Sequence, residues 1–73
     1  MNKEEFLEKL QEVLQRDEPL TFDMELEKIE EWDSLAMMAT IVFLDKEFGV
    51  KTVIDDYKNL ITIENIAQKA GLS

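Results

Sequence analysis

Length, composition and charge exclude several classes of protein before any motif is considered. With 73 residues, the chain can form one small domain, and such a domain buries only about 60% of the surface of its unfolded chain. Without cysteine or histidine, it lacks a thiolate nucleophile, a disulfide scaffold and the commonest general base and metal ligand. A net charge of −9 argues against binding to nucleic acids or anionic membranes and favours partners with basic surfaces.

The amino terminus and the hydropathy of the chain predict a soluble, cytoplasmic protein. Residues Met1–Glu5 lack the apolar segment of a signal peptide. No apolar run approaches the roughly 20 residues that a membrane-spanning helix requires. We therefore expect residues 1–73 to form a single domain that does not insert into membranes. We also expect it to be monomeric and, because no EF-hand spacing is present, to hold no metal.

A first helix is predicted by a capping signal and by helical spacing. Asn2, followed three residues later by Glu5, is typical of a capping box. Apolar residues then recur at the spacing of one helix face, namely Phe6, Leu7, Leu10, Val13 and Leu14. We expect this helix to run from Lys3 to about Arg16, before Asp17-Glu18-Pro19 ends it.

The segment after the first helix allows two structures. Polar residues alternate there with apolar ones, a pattern typical of a strand, the apolar set being Leu20, Phe22, Met24 and Leu26. The candidate partner strand, Val50–Ile54, is short. We therefore favour an extended linker that alternate apolar side chains hold against the helices, with two-stranded pairing as the alternative. A connection of about 15 residues is uncommon in a compact domain unless it serves function.

The second helix is predicted over Ser34–Phe48. Asp33 can cap its first turn, and Gly49 can take the left-handed conformation that ends a helix. Trp32 and Met37 have the spacing of a hydrophobic staple across that cap. At about 100° per residue, the predicted core side consists of Met37, Met38, Ile41, Leu44 and Phe48, with Leu35 and Val42 at its edge and Ala36, Ala39 and Phe43 roughly opposite.

Two further helices complete the predicted fold. A short third helix is expected over about Val53–Asn59, with Thr52 as its cap. A last helix is expected to begin after Thr62 and to end at Gly71, with a core stripe of Ile63, Ile66, Ala67 and Ala70. The predicted fold class is all-α: a small four-helix bundle with three main helices, one short helix and a long first loop.

One motif carries chemical information. Asp33-Ser34-Leu35 lies where a charged linker becomes the most apolar helix of the chain, and Phe48-Gly49-Val50 closes that helix. In this context the motif resembles that of the acyl carrier protein family, whose members carry 4'-phosphopantetheine on the serine of an Asp-Ser-Leu motif. The resemblance covers the whole chain and implies that Ser34 is the attachment site, flanked by Asp33 and Leu35. Taken alone, Ser34 is also explained as an ordinary polar residue at a helix start.

Two features depart from the family pattern. The Leu-Gly pair that commonly precedes the motif is replaced by Glu30-Glu31. The helix after the serine, often acidic on its outer face in fatty-acid carriers, has Ala36, Ala39 and Lys46. The chain therefore looks more similar to free-standing carriers of specialised pathways than to carriers of fatty-acid synthesis.

The resemblance also implies a cofactor, partners and a division of labour. An arm derived from coenzyme A would hold an acyl group as a thioester, and partner enzymes would make and break bonds. These partners are a phosphopantetheinyl transferase, a loading ligase or transferase, and a downstream acyl-consuming enzyme. We expect them to dock on the side of the second helix formed by Leu35, Ala39, Val42 and Phe43. An aminoacyl, peptidyl or D-alanyl carrier remains open, as does an acidic helical adaptor without a prosthetic group.

Overall fold

The computed structural model describes residues 1–72 and contains four α-helices. They are α1 (Lys3–Val13), α2 (Ser34–Phe48), α3 (Ile54–Lys58) and α4 (Ile63–Lys69), and a short 3₁₀ helix, Leu26–Lys28, lies in the linker between α1 and α2. Within the described residues, the only β-structure is one isolated bridge. The predicted small all-α bundle with a long first loop is therefore confirmed.

All four helices and the linker contribute to one apolar core. Its buried residues are Phe6, Leu10, Leu14, Leu20, Leu26, Ile29, Ala36, Phe43, Leu44, Tyr57, Ile63, Ile66, Ala67 and Ala70. An aromatic cluster connects α1, the linker and α2, because the ring centroid of Phe6 lies 6.4 Å from Phe22, 5.9 Å from Phe43 and 6.0 Å from Phe48. Large interlocking rings of this kind fix how α2 is rotated against its neighbours.

α1 begins as predicted and ends earlier than predicted. The backbone N–H of Glu5 donates to Asn2 Oδ1 at 2.8 Å, and Glu5 Oε1 accepts from the Asn2 N–H at 3.3 Å, so the capping box is confirmed. The expected extension to Arg16 is wrong because Gln15 adopts a left-handed conformation with φ of 56°. The Arg16 N–H then donates to the carbonyl of Gln11 at 3.1 Å, closing a Schellman-type turn.

The linker lies against the bundle in the alternating manner that its sequence predicts. Leu20 and Leu26 are buried, while Phe22 and Met24 are half-buried against the core. The alternative pairing with Val50–Ile54 is not formed. Instead, the linker bonds to the segment that enters α4, through the Leu26 N–H to the Ile61 carbonyl at 2.8 Å, the Ile63 N–H to the Met24 carbonyl at 3.1 Å and an isolated antiparallel bridge between Glu25 and Thr62.

The shorter helices show one difference from the predicted caps. α3 spans Ile54–Lys58, and its N-cap is Val53 rather than Thr52, because the Val53 N–H donates to Asp56 Oδ2 at 2.8 Å. The Thr52 hydroxyl instead shares a 2.7 Å hydrogen bond with the Tyr57 hydroxyl. For α4, the predicted N-cap position Thr62 and the positive φ of Gly71, 88°, are confirmed.

Candidate functional site

Ser34 lies at the surface as the first residue of α2. Asp33 precedes it in an extended conformation, and its Oδ1 accepts the backbone N–H of Ala36 at 2.9 Å. The first helical hydrogen bond also starts at Asp33, whose carbonyl accepts the Met37 N–H at 2.9 Å. The prediction that Asp33 caps α2 and that Ser34 opens it is confirmed. Capping of this kind fixes the backbone of Ser34 at the helix N-terminus.

Trp32 anchors the chain just before this cap. Its indole is half-buried against the core, with its ring centroid 6.2 Å from that of Tyr57 in α3. Its backbone N–H donates to the Ile29 carbonyl at 3.0 Å. Met37 is likewise half-buried against the core, although a staple between Trp32 and Met37 themselves stays a prediction. The aromatic contact with α3 holds the end of the linker.

An ion pair across the linker supports the same segment. Arg16 Nη1 donates to Glu31 Oε1 at 2.9 Å, and the Arg16 side chain is only 14% exposed. Hydrogen bonds from its own backbone N–H and from Arg16 hold the pKa of Glu31 below its usual value. Sequence reasoning missed this pair because its partners are 15 residues apart and show no periodic or motif signal.

The outer face of α2 next to Ser34 is apolar. Leu35 is 76% exposed, Met38 55% and Val42 63%. These three residues, spaced by three and four positions, share one side of the helix, and we call them the α2 stripe. Large apolar side chains this exposed in a row indicate a binding surface more often than scattered single ones do.

Part of the predicted arrangement of α2 is wrong. Phe43, expected on the docking side, is 8% exposed and belongs to the core, whereas Met38, expected in the core, is exposed. Ala36, also placed opposite the core, is buried, and Ala39 is half-buried. Thr40, which hydropathy counts as polar, is also fully buried, and its hydroxyl donates to the Ala36 carbonyl at 2.8 Å. The side of α2 that faces the core is therefore not the side that hydropathy alone indicates.

Two shallow surface pockets lie beside the α2 stripe, between the end of α1 and α2. The pocket near Ser34 is lined by Val13, Leu14, Gln15, Glu31, Asp33, Leu35, Ala36 and Ala39. The second pocket, further along α2, is lined by Val13, Ala39, Val42, Phe43, Lys46 and Glu47. A group attached to the Ser34 hydroxyl would lie beside the first pocket, since the residues on both sides of Ser34 line it.

The negative charge of the chain is concentrated in the linker rather than on α2. Residues 17–33 contain eight acidic side chains and one basic one, whereas α2 has Asp45, Lys46 and Glu47 as its charged residues. The α2 stripe is therefore uncharged along its first turns and is preceded in the chain by a strongly acidic segment.

Within residues 1–72, no three metal-ligating side chains are grouped as a metal site would require. None of the helices in that range combines the length and the apolar character needed to cross a membrane. Comparison of the chain with protein-family models, with curated proteins and with solved structures gave no match.

Proposed function

We propose that this protein is a cytoplasmic acyl carrier that holds its cargo as a thioester on 4'-phosphopantetheine attached to Ser34. The single observation that carries the proposal is the placement of the Asp33-Ser34-Leu35 motif, with an exposed serine at the capped start of α2 and an exposed apolar stripe directly after it. The motif supplies the resemblance to carrier proteins, and the geometry is compatible with it.

The start of α2 suits a phosphodiester chemically. The first backbone N–H groups of a helix lack partners within the helix, and Asp33 satisfies that of Ala36. The remaining first-turn N–H groups and the helix dipole favour a nearby negative charge by about 0.3–1 kcal/mol. The Ser34 oxygen would form a bond to the phosphorus of the phosphopantetheine group as the pyrophosphate bond of coenzyme A breaks and adenosine 3',5'-bisphosphate leaves. A transferase would supply the base that removes the proton of the serine hydroxyl.

The arm supplies what the polypeptide lacks. Since the chain has no cysteine, the thiol of a thioester must come from a prosthetic group. The flexible tether would raise the effective concentration of the cargo at each docked enzyme. Loading, transformation and release therefore belong to partner enzymes, and the protein itself is not an enzyme in this proposal. Aminoacyl, peptidyl and D-alanyl groups are chemically equivalent cargoes here.

The α2 stripe is the surface that we assign to partner docking. Leu35 is adjacent to the attachment site, and Met38 and Val42 continue the same side of the helix. A partner must approach there to reach an arm on Ser34, with half-buried Ala39 at the side of the stripe. This assignment keeps Leu35, Ala39 and Val42 from the sequence prediction, adds Met38 and omits Phe43.

The test is an intact mass measurement after incubation with coenzyme A and a broad-specificity phosphopantetheinyl transferase. We expect a mass gain of one phosphopantetheine in the wild type and none in Ser34→Ala. Ser73 is the other serine of the chain, so Ser73→Ala is the matched control and should gain the same mass as the wild type. Ser34→Ala should keep the helicity of the wild type, because Asp33 and not Ser34 caps α2.

An adaptor without a prosthetic group is the second candidate, and the exposed α2 stripe favours it. Such a protein would use Leu35, Met38 and Val42 to bind a partner and would not need the serine. A wild-type protein that stays unmodified while a control carrier is modified would contradict the carrier proposal. The adaptor would then be supported if Val42→Glu abolishes the binding of a partner protein and Ser34→Ala leaves that binding unchanged.

A further inference from the structure

The side chain of Arg16 projects from the turn that follows α1, where hydrogen bonds hold both the N–H and the carbonyl of Arg16. The Arg16 N–H donates to the Gln11 carbonyl at 3.1 Å, and the Gln11 side-chain amide donates to the Arg16 carbonyl at 3.1 Å. The left-handed Gln15 turns the chain at this point. With its side chain only 14% exposed, Arg16 can present its guanidinium in few directions.

The acceptor of this guanidinium lies three residues before the proposed attachment site. Glu31 Oε1 is 2.9 Å from Arg16 Nη1, and the pair closes a loop that contains almost the whole linker. Glu31 is followed by the anchored Trp32 and by the capping Asp33. The ion pair therefore connects the end of α1 to the short segment that sets the position of Ser34.

We infer that Arg16 and Glu31 are positioning residues for the attachment of the arm to Ser34. The inference rests on the proposed carrier function. A transferase that binds the segment before α2 in one conformation binds more weakly when only a fraction of the molecules adopt it, because apparent affinity falls in proportion to that fraction. The pair raises this fraction by holding Glu31 against the turn that ends α1.

A second ion pair in the same linker provides a matched control. Glu25 Oε2 lies 2.8 Å from Lys28 Nζ, but the two side chains are 42% and 75% exposed and only three residues apart. This pair does not link the linker to another helix. Glu25→Ala removes the same charge from the same segment as Glu31→Ala, yet it should leave the position of Ser34 unchanged.

The experiment is a kinetic measurement of arm transfer from coenzyme A by a broad-specificity phosphopantetheinyl transferase. For Arg16→Ala and Glu31→Ala we expect the KM for the carrier to rise about three- to tenfold with kcat unchanged, as a reduced competent fraction requires. The double variant should be no worse than the worse single variant, because the two side chains act as one unit. The KM and kcat of Glu25→Ala should equal those of the wild type.

The two single variants also separate positioning from simple charge attraction. Arg16→Ala makes the protein more negative, whereas Glu31→Ala makes it less negative. If the transferase recognises charge alone, the two KM values move in opposite directions, and the inference is overturned. It is also overturned if both KM values equal that of the wild type. If Arg16→Ala loses its helicity, the conservative variants Arg16→Lys and Glu31→Gln replace the alanine variants in this test. Because both can keep a hydrogen bond, their KM values should rise by less than those expected for the alanine variants.

Hydrogen exchange gives a readout that does not depend on modification. The backbone amides of residues 31–36 should exchange faster in both single variants than in the wild type and in Glu25→Ala. A wild-type protein that takes up no arm contradicts the proposed function, while exchange still decides whether the pair holds the segment. Equal exchange in all four proteins refutes the positioning role even if the wild type is modified.

Discussion

The rotation of α2 makes a quantitative prediction about two neighbouring residues, Phe43 and Val42. Phe43 is 8% exposed, whereas Val42 is 63% exposed. The ring of Phe43 contacts both Phe6 and Phe48, with centroid distances of 5.9 Å in each case. Truncation of a buried phenylalanine to alanine costs about 3–5 kcal/mol, and the loss of two aromatic neighbours should place Phe43→Ala within that range.

Val42→Ala is the matched control on the same turn of the helix. It removes a side chain that is largely in water already, and alanine has the higher helix propensity, so the change in stability should stay within about 0.5 kcal/mol. A domain of 73 residues is expected to have a total stability of about 4–11 kcal/mol. Phe43→Ala should therefore remove a large share of that stability, whereas Val42→Ala should leave it almost unchanged.

Urea unfolding followed by the fluorescence of Trp32, the single tryptophan, measures both changes. With a slope near 1 kcal/mol per molar urea, typical of a small domain, a loss of about 3–5 kcal/mol in Phe43→Ala should lower the unfolding midpoint by about 3–5 M or unfold the protein without urea. The midpoint of Val42→Ala should stay close to that of the wild type. Equal midpoints for the two variants, or a larger loss in Val42→Ala, would refute the assigned rotation of α2.

Three further predictions concern stability. Gln15→Gly should raise the unfolding free energy by about 0.5–1 kcal/mol, because glycine adopts a positive φ without strain. Asp33→Ala should lower it by about 1 kcal/mol in urea unfolding through loss of the cap, and Asp33→Asn should retain most of that stability. Burial raises the pKa of Tyr57 above 10.0, against the lowering effect of its hydrogen bond with Thr52. The contribution of protonated Tyr57 to the stability of the fold is therefore complete below pH 10 and is lost as pH rises through the folded pKa. Tyr57→Phe should cost about 0.5–1.5 kcal/mol at neutral pH and weaken this alkaline loss in a pH series of thermal unfolding.

Local signals predicted the position of Ser34 because they act within one turn of helix. The linker ends at Asp33, which caps α2, and Gly49, with φ of 68°, ends this helix. Both residues act on backbone groups a few positions away, so their sequence positions are sufficient to define Ser34–Phe48. The boundaries of α2 therefore agree with the prediction at both ends.

Features that depend on tertiary contacts could not be predicted in the same way. The linker could be assigned as extended from its alternation, but its hydrogen bonds to Ile61 and Ile63 join segments more than 30 positions apart. Arg16 and Glu31 each look like ordinary charged surface residues in the sequence. The prediction of how α2 is rotated was wrong for a different reason, since Thr40 counts as polar in a hydropathy pattern although it is fully buried.

The burial of Thr40 connects the fold of α2 to its proposed use. Its hydroxyl is satisfied inside the helix by the Ala36 carbonyl, so burying it leaves no unpaired polar group. The side of α2 that carries Thr40 can then face the core together with Phe43. Because residues three and four apart share a side of a helix, the same rotation turns Leu35, Met38 and Val42 outward on the opposite side. The apolar surface beside Ser34 is thus a direct consequence of how the core is packed.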